Sequence, residues 1–387
     1  MHIKLFMVSG EESGDMHGSS LIEALKRRTG GALTIGGMGG AMMIKAGLKG
    51  ADSRNISVVG LTEVIEKFPK ILKAFNSLKK ELLSGSFDAV LLIDFPDFNL
   101  RLAREAKKTG LPVIYYISPQ VWAWRKGRIK KIASLVDKML VVFPFEEELY
   151  RKEAVDVEYV GHPLKDTAVC GLSPEEARRA LNLPAEGKIV ALLPGSRSSE
   201  VKRLLPVLLG AAKIISRELN SKVSFIIPQA SSIDDSVISK PLKDSGVDAT
   251  AVKNKPYESL RASDAAIVAS GTATLETALI GTPMVILYKM SRLTYGVAKA
   301  LVGVEFIGLP NIIAGKKIVE ELIQNEATAQ NAAKAAIEIL RDFKKRNDII
   351  NGYKRVSERL GAGATDKAAA AVLKVISEKR AAALKFR

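Results

Sequence analysis

Short apolar runs alternate with amphipathic segments along most of the chain, a pattern that predicts parallel strands with helices packed on both faces of a sheet. The first run, His2–Ser9, ends in Gly10-Glu11-Glu12-Ser13-Gly14-Asp15, and apolar positions then recur at helical spacing through Leu21 and Leu25. Further strands are expected at Leu33–Gly36, Phe87–Ile93, Val113–Ile117, Lys138–Phe143 and Val157–Val160. Gly161 to Pro174 reads as a linker. A second series follows, with strands at Lys188–Leu193, Val223–Ile227, Ala265–Ala269 and Met284–Leu287 and a weaker one at Asp248–Val252. From Ala327 to Arg387 the pattern is helical and rich in alanine and lysine. The expected architecture is two similar α/β halves forming a clamshell, residues 1–165 and 166–350, with a helical tail over 351–387. Ligands in such sheets bind beyond the carboxyl ends of the strands.

Two helical stretches contain proline. Pro69 predicts two short helices within Val58–Lys80, and Pro206 predicts a bend or restart in the helix from Glu200 to Ser216. Val58, Leu61, Ile65, Phe68, Leu72 and Phe75 alternate there with Lys67, Lys70 and Lys73. That mixture suits core-facing helices; it equally suits an interfacial patch with apolar side chains among lipid tails and lysines at the headgroups. Trp122 and Trp124, beside Arg125, Lys126, Arg128, Lys130 and Lys131, fit either RNA stacking or a solvated basic helix.

At 387 residues the chain is long enough for two cores, and an apolar fraction of 47% argues against disorder. A single cysteine, Cys170, excludes an internal disulfide, and His2, His17 and His162 are not spaced as metal ligands. No signal peptide is expected, and no apolar run reaches the ~18 residues of a spanning helix. The net charge of +16 asks for an acidic partner, whether nucleic acid, an anionic membrane or a phosphorylated substrate.

Three stretches could carry chemistry. Pro194-Gly195-Ser196-Arg197-Ser198-Ser199 lies between an apolar strand and a helix. Gly195 permits a sharp turn, the helix start offers unpaired N–H groups, and Arg197 supplies a fork that fits phosphate oxygens. It is not a Walker loop, since no Gly-Lys-Ser/Thr follows, and the same residues would serve an ordinary βα turn. Ser270-Gly271-Thr272 repeats the arrangement, with Glu276 one turn on, where a carboxylate could accept from ribose hydroxyls or match a helix dipole. Asp94 ends a strongly apolar strand, where burial raises a carboxylate's pKa and suits it to general-base work; Glu11 holds the equivalent place after the first strand. Asp97 and Asn99 read as turn residues around Pro96. Gly37-x-Gly39 follows the second strand and lacks the third glycine, so it is not a dinucleotide fingerprint.

Together these blocks resemble the lipid-A-disaccharide synthase family. The resemblance rests on Gly10–Asp15, Ile93–Asn99, Ser118–Arg125, Phe143–Glu146, Gly161–Pro163, Leu192–Arg197, Ala269–Ala273 and Leu309–Gly315, in that order. It implies the glycosyltransferase B fold: two Rossmann-like domains facing a cleft, lipid acceptor on the first, UDP-sugar donor on the second. It implies a metal-independent, inverting transfer from UDP-2,3-diacylglucosamine to 2,3-diacylglucosamine 1-phosphate (lipid X). The products would be the β-1,6-linked lipid A disaccharide 1-phosphate and UDP. Asp94 would be the base and Glu11 its neighbour in the cleft. Gly195, Ser196 and Arg197 would stabilise the leaving diphosphate. Ser270, Gly271, Thr272 and Glu276 would hold the nucleotide, and Asn311 would face the donor. No cofactor and no nucleic acid are implied. The protein would lie peripherally on the cytoplasmic leaflet of a Gram-negative inner membrane, its Val58–Phe75 patch against lipid. The tail would pack on the first domain or exchange between the subunits of a homodimer. Departures are Glu12, where alanine is common, and the basic tail from Ala368. A UDP-sugar epimerase on the same fold and a non-enzymatic basic protein binding lipid or RNA are the competing readings.

Overall fold

The computed structural model describes residues 2–55, 61–119, 121, 127–219, 221–290 and 305–385, with side chains excepted at 55, 61–67, 384 and 385. The first series runs β1 (Ile3–Ser9), α1 (Glu12–Thr29), β2 (Leu33–Gly39), α2 (Ala41–Lys45), β3 (Leu48–Asp52) and α3 (Leu61–Ser84). It continues through β4 (Ala89–Ile93), α4 (Pro96–Lys107), β5 (Val113–Tyr116), α5 (Arg128–Ala133), β6 (Lys138–Val141), α6 (Pro144–Arg151) and β7 (Val157–Tyr159). These strands form a seven-stranded parallel sheet in the order β3-β2-β1-β4-β5-β6-β7.

After α7 (Leu164–Thr167) and α8 (Pro174–Ala180) come β8 (Lys188–Leu193), α9 (Ser198–Glu218), β9 (Val223–Gln229), α10 (Asp235–Ser245) and β10 (Ala249–Lys253). Then follow α11 (Pro256–Arg261), β11 (Ala265–Ala269), α12 (Thr272–Ile280), β12 (Met284–Tyr288), α13 (Leu309–Ala314) and β13 (Glu320–Ile323). Helices α14 (Ala329–Arg341), α15 (Phe343–Arg359) and α16 (Ala364–Lys385) complete the described chain. The second sheet is six-stranded and parallel, ordered β10-β9-β8-β11-β12-β13.

The central strands are continuous apolar runs because both faces are covered: β4, β8 and β11 are buried along nearly their whole length. Strands β3 and β13 are additions to the expected set. Each is an edge strand with one buried side chain, Leu48 in β3 and Leu322 in β13, so neither carries an apolar run. Both prolines are also absorbed. Helix α3 runs unbroken through Pro69 and α9 through Pro206, each losing one backbone bond, and in α9 Leu204, Leu205, Leu208 and Leu209 stay buried on either side of the proline.

Backbone contacts divide the chain into one unit of Met1–Asp166 with Leu360–Arg387 and a second of Thr167–Arg359. Helix α15 falls in the second unit, and Leu360–Arg387 in the first. Within the first unit, α16 lies on α1 through Ala368, Ala371, Val372 and Ile376, all buried. Arg380 fastens its far end, pairing with Asp88 at 2.6 Å and donating to the His2 carbonyl at 3.0 Å. Asp166 accepts from the N–H groups of Gly363 (3.0 Å) and Ala364 (3.1 Å) at the near end. Gly37 has φ +112°, and a Cβ there would collide with the Met7 carbonyl, so this glycine serves strand packing and not a nucleotide.

Candidate active site

In the first sheet the strand order reverses between β1 and β4, and ligands in open α/β sheets bind in the crevice beyond such a point. Ser9 of β1 is paired with Ile93 of β4, so Glu11 and Asp94 leave the sheet just past the same rung. Both are half-buried. Glu11 stands at the N-cap position of α1 yet makes no capping bond, which weakens the reading of this acid as a helix cap. Asp94 and Phe95 have φ +46° and +50°, a left-handed pair that residues with a Cβ rarely adopt.

The Asp94 backbone is held from three sides. Its N–H donates to the Tyr116 carbonyl at 3.2 Å, while its carbonyl accepts from Asn99 Nδ2 at 2.7 Å and from the Tyr115 hydroxyl at 2.5 Å. Asn99 is therefore not a loose turn residue: it is fully buried in the first turn of α4. Asp97 is largely exposed and pairs with Arg128 at 2.6 Å. The Phe95 ring covers Gly10 so closely that no Cβ would fit there. Asp15, the last residue of the first loop motif, accepts from Met42 N (3.0 Å) and Met43 N (2.9 Å), fixing the start of α2.

The second sheet reverses between β8 and β11, and the two phosphate-type loops follow those strands, whose Leu193 and Val268 are paired. Gly195 (φ +112°) lies under the Glu200 carboxylate, which occupies the space a Cβ would need. Arg197 donates to Glu200 at 3.2 Å while staying 40% exposed, so the guanidinium is aimed but accessible. The Ser196 carbonyl accepts from the Ser232 hydroxyl at 2.9 Å. Neither α9 nor α12 starts with a capping side chain, which leaves first-turn N–H groups for an anion.

Ser270 donates through its hydroxyl to the Ile307 carbonyl at 3.2 Å, and exposed Gly271 and half-buried Thr272 open α12. Glu276 accepts from the Tyr257 hydroxyl at 2.9 Å, and burial together with the Glu276 charge pushes that phenol far above its ordinary range. The carboxylate is thereby oriented by a neutral donor.

Asn311, expected to face the donor, stands in the first turn of α13. Its side chain is fully buried; Nδ2 donates to the Val319 carbonyl (3.0 Å) and Glu321 (2.8 Å), and Oδ1 accepts from Ile318 N (2.7 Å) and Val319 N (3.0 Å). These four bonds hold the α13–β13 turn. Phe75 is half-buried and meets Phe98 edge-on, whereas Phe68 and Leu72 on the same helix are 51% and 48% exposed. Val58, Trp122 and Trp124 lie outside the described residues, as do the side chains of Leu61 and Ile65.

Glu200, Ser232, Tyr257, Tyr115 and the positional role of Asn99 were not anticipated. The three-residue spacing of Arg197 and Glu200 was a signal for one of them. Ser232, on a loop, and Tyr257, in the first turn of α11, are distant in sequence from the residues they bond and carried none. Among the described residues, no three His, Cys, Asp or Glu side chains cluster as metal ligands, and no helix is long and apolar enough to cross a membrane.

Residues 5–375 match the family model described as lipid-A-disaccharide synthetase. A lipid-A-disaccharide synthase of Syntrophus aciditrophicus is 45% identical over 98% of this chain and 99% of its own length. Among solved structures, the UDP-GlcNAc 2-epimerase of Neisseria meningitidis bound to UDP-GlcNAc superposes with TM-score 0.62 at 13% identity, covering 96% of this chain and 99% of that one. CalG4, the calicheamicin glycosyltransferase, does so with TM-score 0.58 at 12% identity, covering 97% and 98%. The fold is therefore that of glycosyltransferase B enzymes and UDP-GlcNAc epimerases; at such identities the likeness speaks for the fold alone.

Proposed function

The chain belongs to the lipid-A-disaccharide synthase family, and we propose from that premise how its two switch points divide the synthesis of the lipid A disaccharide. The donor is UDP-2,3-diacylglucosamine and the acceptor 2,3-diacylglucosamine 1-phosphate. Asp94 takes the proton from the acceptor 6-hydroxyl as that oxygen attacks the anomeric carbon. The bond from that carbon to the diphosphate breaks, and UDP leaves with the electron pair. Glu11, at the end of the neighbouring strand, binds the acceptor beside Asp94.

Charge growing on the leaving diphosphate meets the Arg197 guanidinium and the N–H groups of the Gly195–Ser196 turn and α9. Ser270, Gly271 and Thr272 hold the nucleotide at the start of α12, and Glu276 accepts from the ribose. The observation that carries this reading is the placement of acids beyond one reversal of strand order and of two uncapped phosphate-type loops beyond the other.

Both substrates are acylated, which gives the exposed Phe68 and Leu72 a role: they reach into the membrane leaflet from which the substrates are drawn, with Lys70 and Lys73 at the headgroups. The test is transfer from radiolabelled UDP-2,3-diacylglucosamine to diacylglucosamine 1-phosphate in detergent micelles with EDTA present. Disaccharide and UDP in equal amounts support the proposal. UDP binding without product would return the chain to sugar epimerisation.

A further inference from the structure

The Asp94–Phe95 turn sets a left-handed pair of non-glycine residues at the end of β4, and such a conformation persists only where its surroundings hold it. Two side chains converge on the Asp94 carbonyl. Asn99 Nδ2 is 2.7 Å from it, and the same amide lies 3.2 Å from the Ile93 carbonyl and 3.4 Å from that of Val8. Those last two carbonyls belong to β4 and β1, the strands on either side of the reversal. The Tyr115 hydroxyl, from β5, reaches the Asp94 carbonyl at 2.5 Å.

Packing does not account for Asn99. The residue is fully buried, and its Oδ1 has no hydrogen-bond partner among the described residues, so half of its polar capacity is left unused in the interior. An apolar side chain of similar size would avoid that cost. What an apolar side chain cannot supply is a donor pair aimed at carbonyls of two strand ends and of the strained turn. Tyr115 is suited to the same role, because burial, with the Asp94 charge adding to it, keeps its phenol protonated well above the ordinary range.

We propose that Asn99 and Tyr115 are positioning residues for the transfer, fixing the Asp94 backbone so that its carboxylate is carried past the sheet end toward the acceptor hydroxyl. The inference rests on Asp94 being the base. Neither side chain is asked to touch substrate. Asn99 acts through the main chain of Asp94 and through the spacing of β1 and β4, which also sets the path from Ser9 to Glu11.

The experiment is a double-mutant cycle on the full-length protein in the micelle transfer assay, with Asn99→Ala and Tyr115→Phe each made alone and with Asp94→Asn. Asn99→Ala should lower kcat about a hundredfold and Tyr115→Phe about threefold to tenfold, with KM for both substrates nearly unchanged, as for a misplaced reacting group. In the Asp94→Asn background neither change should reduce the residual rate further. Losses that multiply in that background would overturn the proposal, since a structural defect acts whether or not residue 94 is a base. So would wild-type kcat in both single variants while Asp94→Asn is inactive. Wild-type turnover in Asp94→Asn itself would instead remove the base, and the positioning role with it. Should Asn99→Ala fail to fold, the Tyr115→Phe cycle decides by the same criteria.

Discussion

Phe75 meets Phe98 edge-on, their ring centroids 5.5 Å apart. Phe98 stacks in turn on Phe95 at 5.2 Å, and Phe95 lies across Gly10 beside the two candidate acids. One face of α3 is thus joined by aromatic contacts to the Asp94 turn, while Phe68 and Leu72 on the same helix remain exposed. This division separates two properties that the apolar pattern of the helix merges.

Phe68→Ser with Leu72→Ser should release the protein from anionic vesicles and leave the melting temperature within a degree or two, because both side chains already face water. Phe75→Ser should destabilise the fold by roughly 2–4 kcal/mol, as for truncating a packed aromatic. Vesicle flotation and thermal melts on the same samples check both. Undiminished flotation of the double variant would remove α3 from the membrane contact.

Arg197→Ala should weaken UDP binding by about 1.5–3 kcal/mol, or roughly tenfold to a hundredfold, the range for a hydrogen bond to a charged group. Titration calorimetry with UDP measures it. Because Arg197 also pairs with Glu200, Glu200→Gln is the control. It should change affinity far less, and an equal loss in both would mean that the pair shapes the loop and does not bind diphosphate.

Asp94→Asn should reduce turnover by about two to four powers of ten with little change in substrate KM, as expected for a lost general base. The amide keeps the side-chain size, and the backbone bonds from Asn99 and Tyr115 do not involve the carboxylate. A melting temperature equal to wild type would show that the rate loss is chemical.

The central strands were legible because double-sided burial writes them as uninterrupted apolar runs. The edge strands β3 and β13 were not, since Leu48-Lys-Gly-Ala-Asp52 and Glu320-Glu-Leu-Ile323 have little to bury. Asp94, Glu11 and the loops at Gly195 and Ser270 could be placed at strand ends from local pattern alone. Which strands are neighbours, and hence that each pair flanks a reversal, is a property of long-range pairing that no local window contains. Asn311 and Asn99 show the same limit. Both have the local signature of polar loop residues; one holds the α13–β13 turn and the other is buried beneath the Asp94 turn.

Gly37→Ala tests the close approach of β1 and β2. The substitution requires φ +112° of a residue with a Cβ and drives that Cβ into the Met7 carbonyl, main chain that cannot swing aside. A loss of at least ~2 kcal/mol in urea unfolding is expected. A neutral result would show that the strand shifts freely and that the glycine has another purpose.

His17 and His162 give the fold a pH dependence whose sign can be worked out. Their rings are 6.3 Å apart, T-shaped and buried. Burial holds His17 down to about 4 and His162 to about 3, with the neighbouring ring adding to the second, against an ordinary value of 6.5. His162 Nδ1 accepts from Leu164 N at 3.2 Å, a bond that needs the nitrogen unprotonated. Below about pH 6.5 the unfolded chain takes up protons that the folded one refuses, so stability is full above that pH and falls as pH drops toward about 4. Each tenfold weakening of proton binding corresponds to about 1.4 kcal/mol, so two such rings make the loss several kcal/mol by order of magnitude. Urea midpoints measured between neutral and mildly acidic pH should be level at first and then decline. His17→Gln with His162→Asn, the asparagine oxygen replacing Nδ1 as acceptor, should flatten that decline. If the variant keeps the wild-type slope, carboxylates and not these two rings govern the acid side.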